Sequence, residues 1–463
     1  VTLMSTFSLL MQTASPSEHA SIWSAEASID GWLAFERALA LSQASQGLMS
    51  TTQASAIVEA ATIERIDQNE LWESARLVGY PILGLVRQVV RAIPDDRAAG
   101  RVHYGATTQD VMDTAIALQM QRSLRALDNG LIRLGEALSQ KVVEHQGTVM
   151  AARTHAQQAV PTTFGATLAS LLEQVGRHRS RIADAGPRIE VVSMYGAGGT
   201  SAAYGASATQ VRRGIADRLG LEVRDVSWHV DRDGVAEFGW LCATVAGTCA
   251  KLARNVIDLS RTEIGEVSER YSKHRGASST MPQKINPISS ENIIGLSATS
   301  SALTSALIRM QEAGHERSAG EWQIEWHVLP QLAELAGRAL AEAADLVEGL
   351  KVDAERMRQN LEHDGGLVMA EAAMISLAPT LGQAGAHTLV YAAASRVRRG
   401  DMGFIDAVVA EASSARAEIP DFTLLPEQYL GDAAQSCDTA VERWRALPAT
   451  ANPPTNLHEL ALR

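Results

Sequence analysis

A chain of 463 residues is longer than one ordinary core organises, so two or three structural regions are expected. Hydrophobic residues make up 46% and aromatics only 5%, with Ala and Leu abundant, which favours packed helices over sheets. The formal net charge of -12 gives no basic face for phosphates and argues against nucleic-acid binding.

Cys242, Cys249 and Cys437 lack metal-type spacing and read as buried thiols, which fits a reducing cytoplasm. The opening V-T-L-M-S-T-F-S-L-L-M has no basic region and is too short for a membrane span. No later stretch approaches about eighteen uninterrupted apolar residues, so a soluble protein without a membrane partner is expected.

From Pro16 to about Gly100, Ile22, Ile29, Trp32, Leu33, Phe35 and Leu39 are spaced for one buried helical face, with breaks at Pro81 and Pro94. After Gly105 a long helix is predicted, because Ile116, Leu118, Met120, Leu124, Leu127, Leu131, Leu134 and Leu138 recur at threes and fours until near Gly147. A second begins near Pro161 and runs to the Ala185-Gly186-Pro187 break. The glycine-rich Y-G-A-G-G-T-S-A-A-Y-G from Tyr195 to Gly205 lacks the P-loop lysine and reads as close packing.

The longest pattern, from roughly Asp233 to Lys273, predicts a helix on the order of 60 Å long. Its apolar flanks exceed what one chain's core needs and point to other subunits. Two further helices follow, Pro287 to about Glu312 and Trp322 to about Gly349. The pattern is an all-α chain: an N-terminal helical domain (1–105), a central elongated five-helix bundle (106–350) and a C-terminal helical domain (351–463) with breaks at Pro379, Gly400 and Pro420 and a polar tail after Pro448.

Three stretches combine polar side chains in ways that packing does not require. In Arg275 to Glu291, R-G-A-S-S-T-M-P-Q-K-I-N-P-I-S-S-E, small residues let the backbone approach a ligand, and Ser278, Lys284 and Asn286 supply a hydroxyl, a cation and an amide. Pro282 and Pro287 forbid a continuous helix, so this is a loop between helices equipped to hold a carboxylate beside a hydroxyl. In H-Y-G-A-T-T-Q-D-V-M-D-T-A, Thr107, Thr108 and Gln109 open a long helix, where amides and hydroxyls suit an anion; an ordinary N-cap explains the same residues. In A-A-R-T-H-A-Q-Q-A-V-P-T-T-F-G, His155 is the residue that the chemistry alone would name as base.

The serine-containing run resembles the signature of the fumarase/aspartase superfamily, G-S-S-x-M-P-x-K-x-N-P, with Ala277 where the family has glycine. The other two stretches resemble the superfamily's remaining signature regions in order and spacing, including Thr154, His155, Ala156 and Gln157 as T-H-x-Q. The resemblance implies elimination or addition beside a carboxylate, in a homotetramer whose sites each draw on three chains. It moves the base role to Ser278 and makes His155 the general acid or leaving-group partner, oriented by Glu291. Lys284 and Asn286 would clamp the carboxylate that gains charge, Thr154 would bind substrate beside His155, and Thr107, Thr108 and Gln109 would hold a second carboxylate. Such chemistry needs no cofactor. Asp110 and Asp113 lack a ligand cluster, so no metal is expected. His103, His274 and His315 are further ionisable candidates.

Within the superfamily, H-E-R-S-A-G-E-W-Q-I-E-W-H-V-L-P at His315 to Pro330 and L-P-E-Q-Y-L-G at Leu425 to Gly431 resemble the 3-carboxy-cis,cis-muconate cycloisomerase group. V-G-Y-P-I-L-G-L-V before His103 lacks the His-Asp pair of the purine-nucleotide lyases. Ile285 departs from that group's K-R-N-P and removes a bidentate donor. Arg317 is the nearby cation that could replace it, or else one half of a surface ion pair. A fumarate-releasing carbon-nitrogen lyase acting on an N-substituted succinate is therefore the alternative enzyme. An inactive helical scaffold would have lost the polar positions that this chain retains.

Overall fold

The computed structural model describes residues 9–418 and 425–448; Pro420 and the tail after Pro448 lie outside them. Five long helices form the centre, as the periodicity predicts: α1 (Thr108–Glu144), α2 (Phe164–Ile189), α3 (Asp233–Leu259), α4 (Ile288–Met310) and α5 (Glu321–Gly349). Each turns a stripe of Leu, Val, Ile or Ala inward, and Leu127, Val175, Phe238, Ile293 and Leu332 are completely or almost completely buried in the shared core. Helices Ile288–Met310 and Leu367–Arg398 are long and apolar enough to cross a membrane by length and composition alone; the first packs between α3 and α5.

A second apolar cluster joins the N-terminal helices to the head of α1, through Leu33, Phe35, Ile82, Leu85, Val111 and Leu118. A third lies beyond the far end of the bundle, where Leu377, Val390, Phe404 and Val408 pack with Val149 and Ala151. Helix Ala433–Arg445 returns to the central core, where Cys437 and Trp444 are buried. All three cysteines are buried and unpaired, and burial pushes the Cys249 thiol up to about 12.

Three local expectations are corrected. Helix α3 stops at Leu259 rather than near Lys273, giving 27 residues and about 40 Å. The reason is Glu266, whose buried carboxylate takes Arg153 at 2.5 and 2.9 Å and the Asn360 amide at 2.7 Å while its backbone N–H returns to the Leu259 carbonyl; a continuing helix would forfeit that pairing. Between α1 and α2 stands an antiparallel hairpin, β1 (Val149–Thr154) and β2 (Gln157–Thr163), where no strand is expected. Pro187 and Pro379 do not end their helices; Pro187 lies inside α2, and the helix holding Pro379 bends at Gly382, where φ is +71°.

Candidate active site

The hairpin presents the T-H-x-Q stretch at its tip. Thr154 and Gln157 are register partners, leaving His155 and Ala156 as the two turn residues, with φ of +50° and +63°. Two consecutive positive φ angles define the turn that suits right-twisted strands, but it normally takes Asn-Gly, and a Cβ at each position costs roughly 1 kcal/mol. Strain retained at an exposed histidine is the kind that functional sites hold. Arg153 on Glu266 fixes the hairpin from below, so the imidazole stands at the end of a rigid two-stranded arm.

The signature loop rises from an equally firm root. Ala277 and Ile285 face one another as an isolated antiparallel bridge, and the Asn286 N–H donates to the Gly276 carbonyl at 2.8 Å. At Gly276, φ is +66° and a Cβ would meet the Asn286 carbonyl oxygen at 2.4 Å, so only glycine fits. Below this neck, the Glu269 carboxylate caps the start of α4 through the Ser289 and Ser290 N–H groups at 3.1 and 2.9 Å. Arg275 donates to Ser289 Oγ, which in turn donates to the Glu342 carboxylate.

Above the neck the side chains are largely bare. Ser278 Oγ accepts the Met281 N–H at 3.0 Å and the Thr280 N–H at 3.3 Å; donors aimed at an oxygen favour its deprotonated form. Lys284 is exposed, and among the described residues it has no ion-pair partner. Glu291, in the first turn of α4, is exposed as well. Among the described residues, no side-chain hydrogen bond or ion pair joins Ser278, His155 and Glu291 to one another or to the Thr107 stretch within one chain.

The third stretch is different. Thr107 caps α1 and Thr108 is its first residue, both half-buried. Gln109 is fully buried, with Nε2 donating to the His229 carbonyl at 2.7 Å and Oε1 without a hydrogen-bond partner among the described residues. Arg317 lies across this end, donating to Thr107 Oγ1 and to the Ala197 carbonyl at 3.1 Å each, with no carboxylate partner among the described residues. A half-buried guanidinium held by neutral oxygens at a helix N-terminus can take an anion.

Asp110 and Asp113 are fully buried beneath it. Burial raises the Asp110 carboxyl pKa, but His229 and the Tyr195 and Gly196 N–H groups outweigh it and hold the group below its usual range. Asp113 shares Arg232 with Glu325 on α5, with contacts from 2.6 to 3.2 Å, and burial pushes both of these carboxyl groups up. Sequence reading missed His229, Arg232 and Glu325 as parts of this end. Of the other candidates, His103 (Nδ1) lies 2.6 Å from Glu36; burial lowers its pKa, but Glu36 outweighs that and raises it. His274 and His315 are exposed. Among the described residues no group of three or more His, Cys, Asp or Glu could hold a metal ion.

Residues 9–299 match the family model described as Lyase. A 3-carboxy-cis,cis-muconate cycloisomerase of Pseudomonas aeruginosa is 38% identical over 441 residues, covering 94% of this chain and 95% of the relative. The crystal structure of the 3-carboxy-cis,cis-muconate lactonizing enzyme of Pseudomonas putida superposes with a TM-score of 0.87 at 36% identity, over 94% of this chain and 99% of the other. That of a fumarate lyase from Mesorhizobium sp. BNC1 gives 0.84 at 33% identity, over 92% and 97%. With three signature stretches carried on a five-helix bundle and relatives matching nearly end to end, the chain belongs to the lyase family of the fumarase/aspartase superfamily and is an enzyme of that kind.

Proposed function

We propose that the protein is a 3-carboxy-cis,cis-muconate cycloisomerase. One carboxylate oxygen of the substrate adds to a carbon of its own alkene to close a lactone, and a proton is delivered to the carbon beside a second carboxylate; the reverse reaction removes that proton and breaks the C–O bond. The observation that carries this reading is the 38% identity to a cycloisomerase across 94% of the chain. Ser278 exchanges the proton at carbon, and the loop N–H groups on its Oγ support that role. Lys284 and Asn286 stabilise the carboxylate as it gains negative charge, and Thr107, Thr108 and Arg317 hold a further carboxylate, with Gln109 buried behind them. His155 serves as general acid, with Thr154 beside the substrate and Glu291 orienting the imidazole.

These groups meet in a homotetramer, each site drawing the Thr107 end, the His155 arm and the Ser278 loop from three different chains. Two features support that assembly. Among the described residues the loop and arm share no hydrogen bond or ion pair within one chain, and the outer faces of α3 and α4 expose Trp240 and Ile308, at 46% and 58%, beside small residues such as Ala298 and Ala302. A small-residue flank lets a second helix approach closely.

A fumarate-releasing lyase acting on an N-substituted succinate is favoured by one residue. Ile285 is 63% exposed on the neck and offers nothing to a third carboxylate. Following ultraviolet absorbance with 3-carboxymuconate, and separately with fumarate plus ammonia, nitrite or amines, decides between the two. Loss of the diene absorbance is expected in the first mixture. No change there, with fumarate consumed in the second, overturns the cycloisomerase reading in favour of the lyase.

A further inference from the structure

The glycine-rich segment Tyr195–Gly205 fits backbone against backbone with the Thr107 stretch. Gly105 and Gly196 both have φ near +75°; a Cβ on Gly105 would meet the Tyr204 ring at 2.6 Å, and one on Gly196 the Gly105 carbonyl oxygen at 3.2 Å. What locks the two together is a single carboxylate. Asp110 Oδ2 accepts the Thr107 N–H at 3.0 Å and the Gly196 N–H at 2.9 Å. Its Oδ1 accepts the Tyr195 N–H at 2.8 Å and Ser193 Oγ at 3.2 Å, with His229 Nε2 at 2.8 Å. His229 in turn holds the Gln109 amide through its carbonyl oxygen. Arg317 closes the outer side by bridging Thr107 to Ala197, one residue past Gly196.

We propose that Asp110 is the positioning residue of the carboxylate-binding edge, fixing Thr107 and Arg317 against the glycine-rich loop so that this loop forms the second wall of the substrate cradle. The proposal rests on the reading that Thr107 and Arg317 bind a substrate carboxylate. Five donors converge on two oxygens that contact neither solvent nor the cradle itself, so Asp110 acts through the groups that it holds. Asp113, one turn further along α1 and equally buried, makes no bond to either loop; its partner is Arg232. The two aspartates therefore separate positioning from packing. An edge that grips a carboxylate remote from the reacting carbon contributes equally to ground-state and transition-state binding, and its loss appears in KM rather than kcat.

The test is calorimetric binding of citrate, as a tricarboxylate probe, to the assembled wild-type protein and to Asp110→Asn, Gly196→Ala and Asp113→Asn, together with kinetics on 3-carboxymuconate. Gly196→Ala presses on the same junction from the loop side and keeps the test alive if Asp110→Asn does not fold. Both variants are expected to bind citrate at least tenfold more weakly and to raise KM at least tenfold with kcat within threefold, whereas Asp113→Asn loses thermal stability with Kd and KM within twofold. Wild-type citrate affinity in Asp110→Asn or Gly196→Ala overturns the proposal while leaving the proposed function standing. Wild-type protein that binds citrate and turns over neither substrate mixture overturns the proposed function, and the citrate affinities then decide the positioning role alone. If the wild type binds no citrate, the kinetics decide: a KM within threefold of wild type in Asp110→Asn or Gly196→Ala overturns the proposal, and the proposed function stands or falls on turnover alone.

Discussion

The two ends of the candidate site are built on opposite plans. At the head of α1 the buried acidic groups are paired: Asp110 with its five donors, Asp113 and Glu325 with Arg232. At the signature loop and the hairpin tip, Ser278, Lys284, His155 and Glu291 are anchored through their backbones, with little or nothing holding the side chains. On the proposed function, the edge that grips a carboxylate is finished within one chain. The reacting groups of that function must be free to change protonation state and distance, and within one chain these side chains keep few partners.

The sharpest way to break this contrast is Ser278→Ala. Its Oγ accepts only loop N–H groups, so removal costs little in folding, while turnover on the working substrate is expected to fall by on the order of 10^4-fold. Thermal unfolding and steady-state rates on the same preparation check it; a variant within tenfold of wild type removes Ser278 from the base role. The opposite pattern is expected from Arg232→Met. Two fully buried carboxylates lose their cation, and stability should drop by about 3–5 kcal/mol in urea unfolding while KM of the folded protein stays within twofold. A neutral stability effect would mean that the buried triad does not contribute to holding the helices together.

The smallest change is Ala156→Gly at the hairpin tip, where φ is +63°. Relieving the left-handed alanine should stabilise the protein by up to about 1 kcal/mol, and kcat should fall severalfold as the arm carrying His155 loosens. Equal kcat in both proteins would show that turn stiffness plays no part in placing the imidazole.

The helical frame was legible because its signal is local. Leu124, Leu127, Leu131, Leu134 and Leu138 mark the inner face of α1 with no help from the rest of the chain. The three polar stretches were legible through motif resemblance, since each lies within about fifteen residues. What sequence reading missed is non-local: Asp110 to His229 spans 119 positions and Arg232 to Glu325 spans 93. One local clue was present. Glu325 sits on the same helical face as Trp322, Val328 and Leu329, and a charge on an apolar stripe calls for a buried partner, which here is Arg232. The hairpin went unseen because Ala151, Ala152 and Pro161 carry no strand preference; its register follows from the two-residue turn and the Arg153 to Glu266 pair. Helix α3 ran too far on periodicity because nothing nearby announces that Glu266 is drawn away by Arg153.

The closed neck under the signature loop has an evolutionary corollary. Since Ala277 and Ile285 meet through their main chains and Asn286 returns to Gly276, the lobe they enclose is fastened whatever side chain position 285 bears. A substitution at position 285 is therefore expected to change what the neck presents to an acid substrate while leaving the loop's main-chain closure in place.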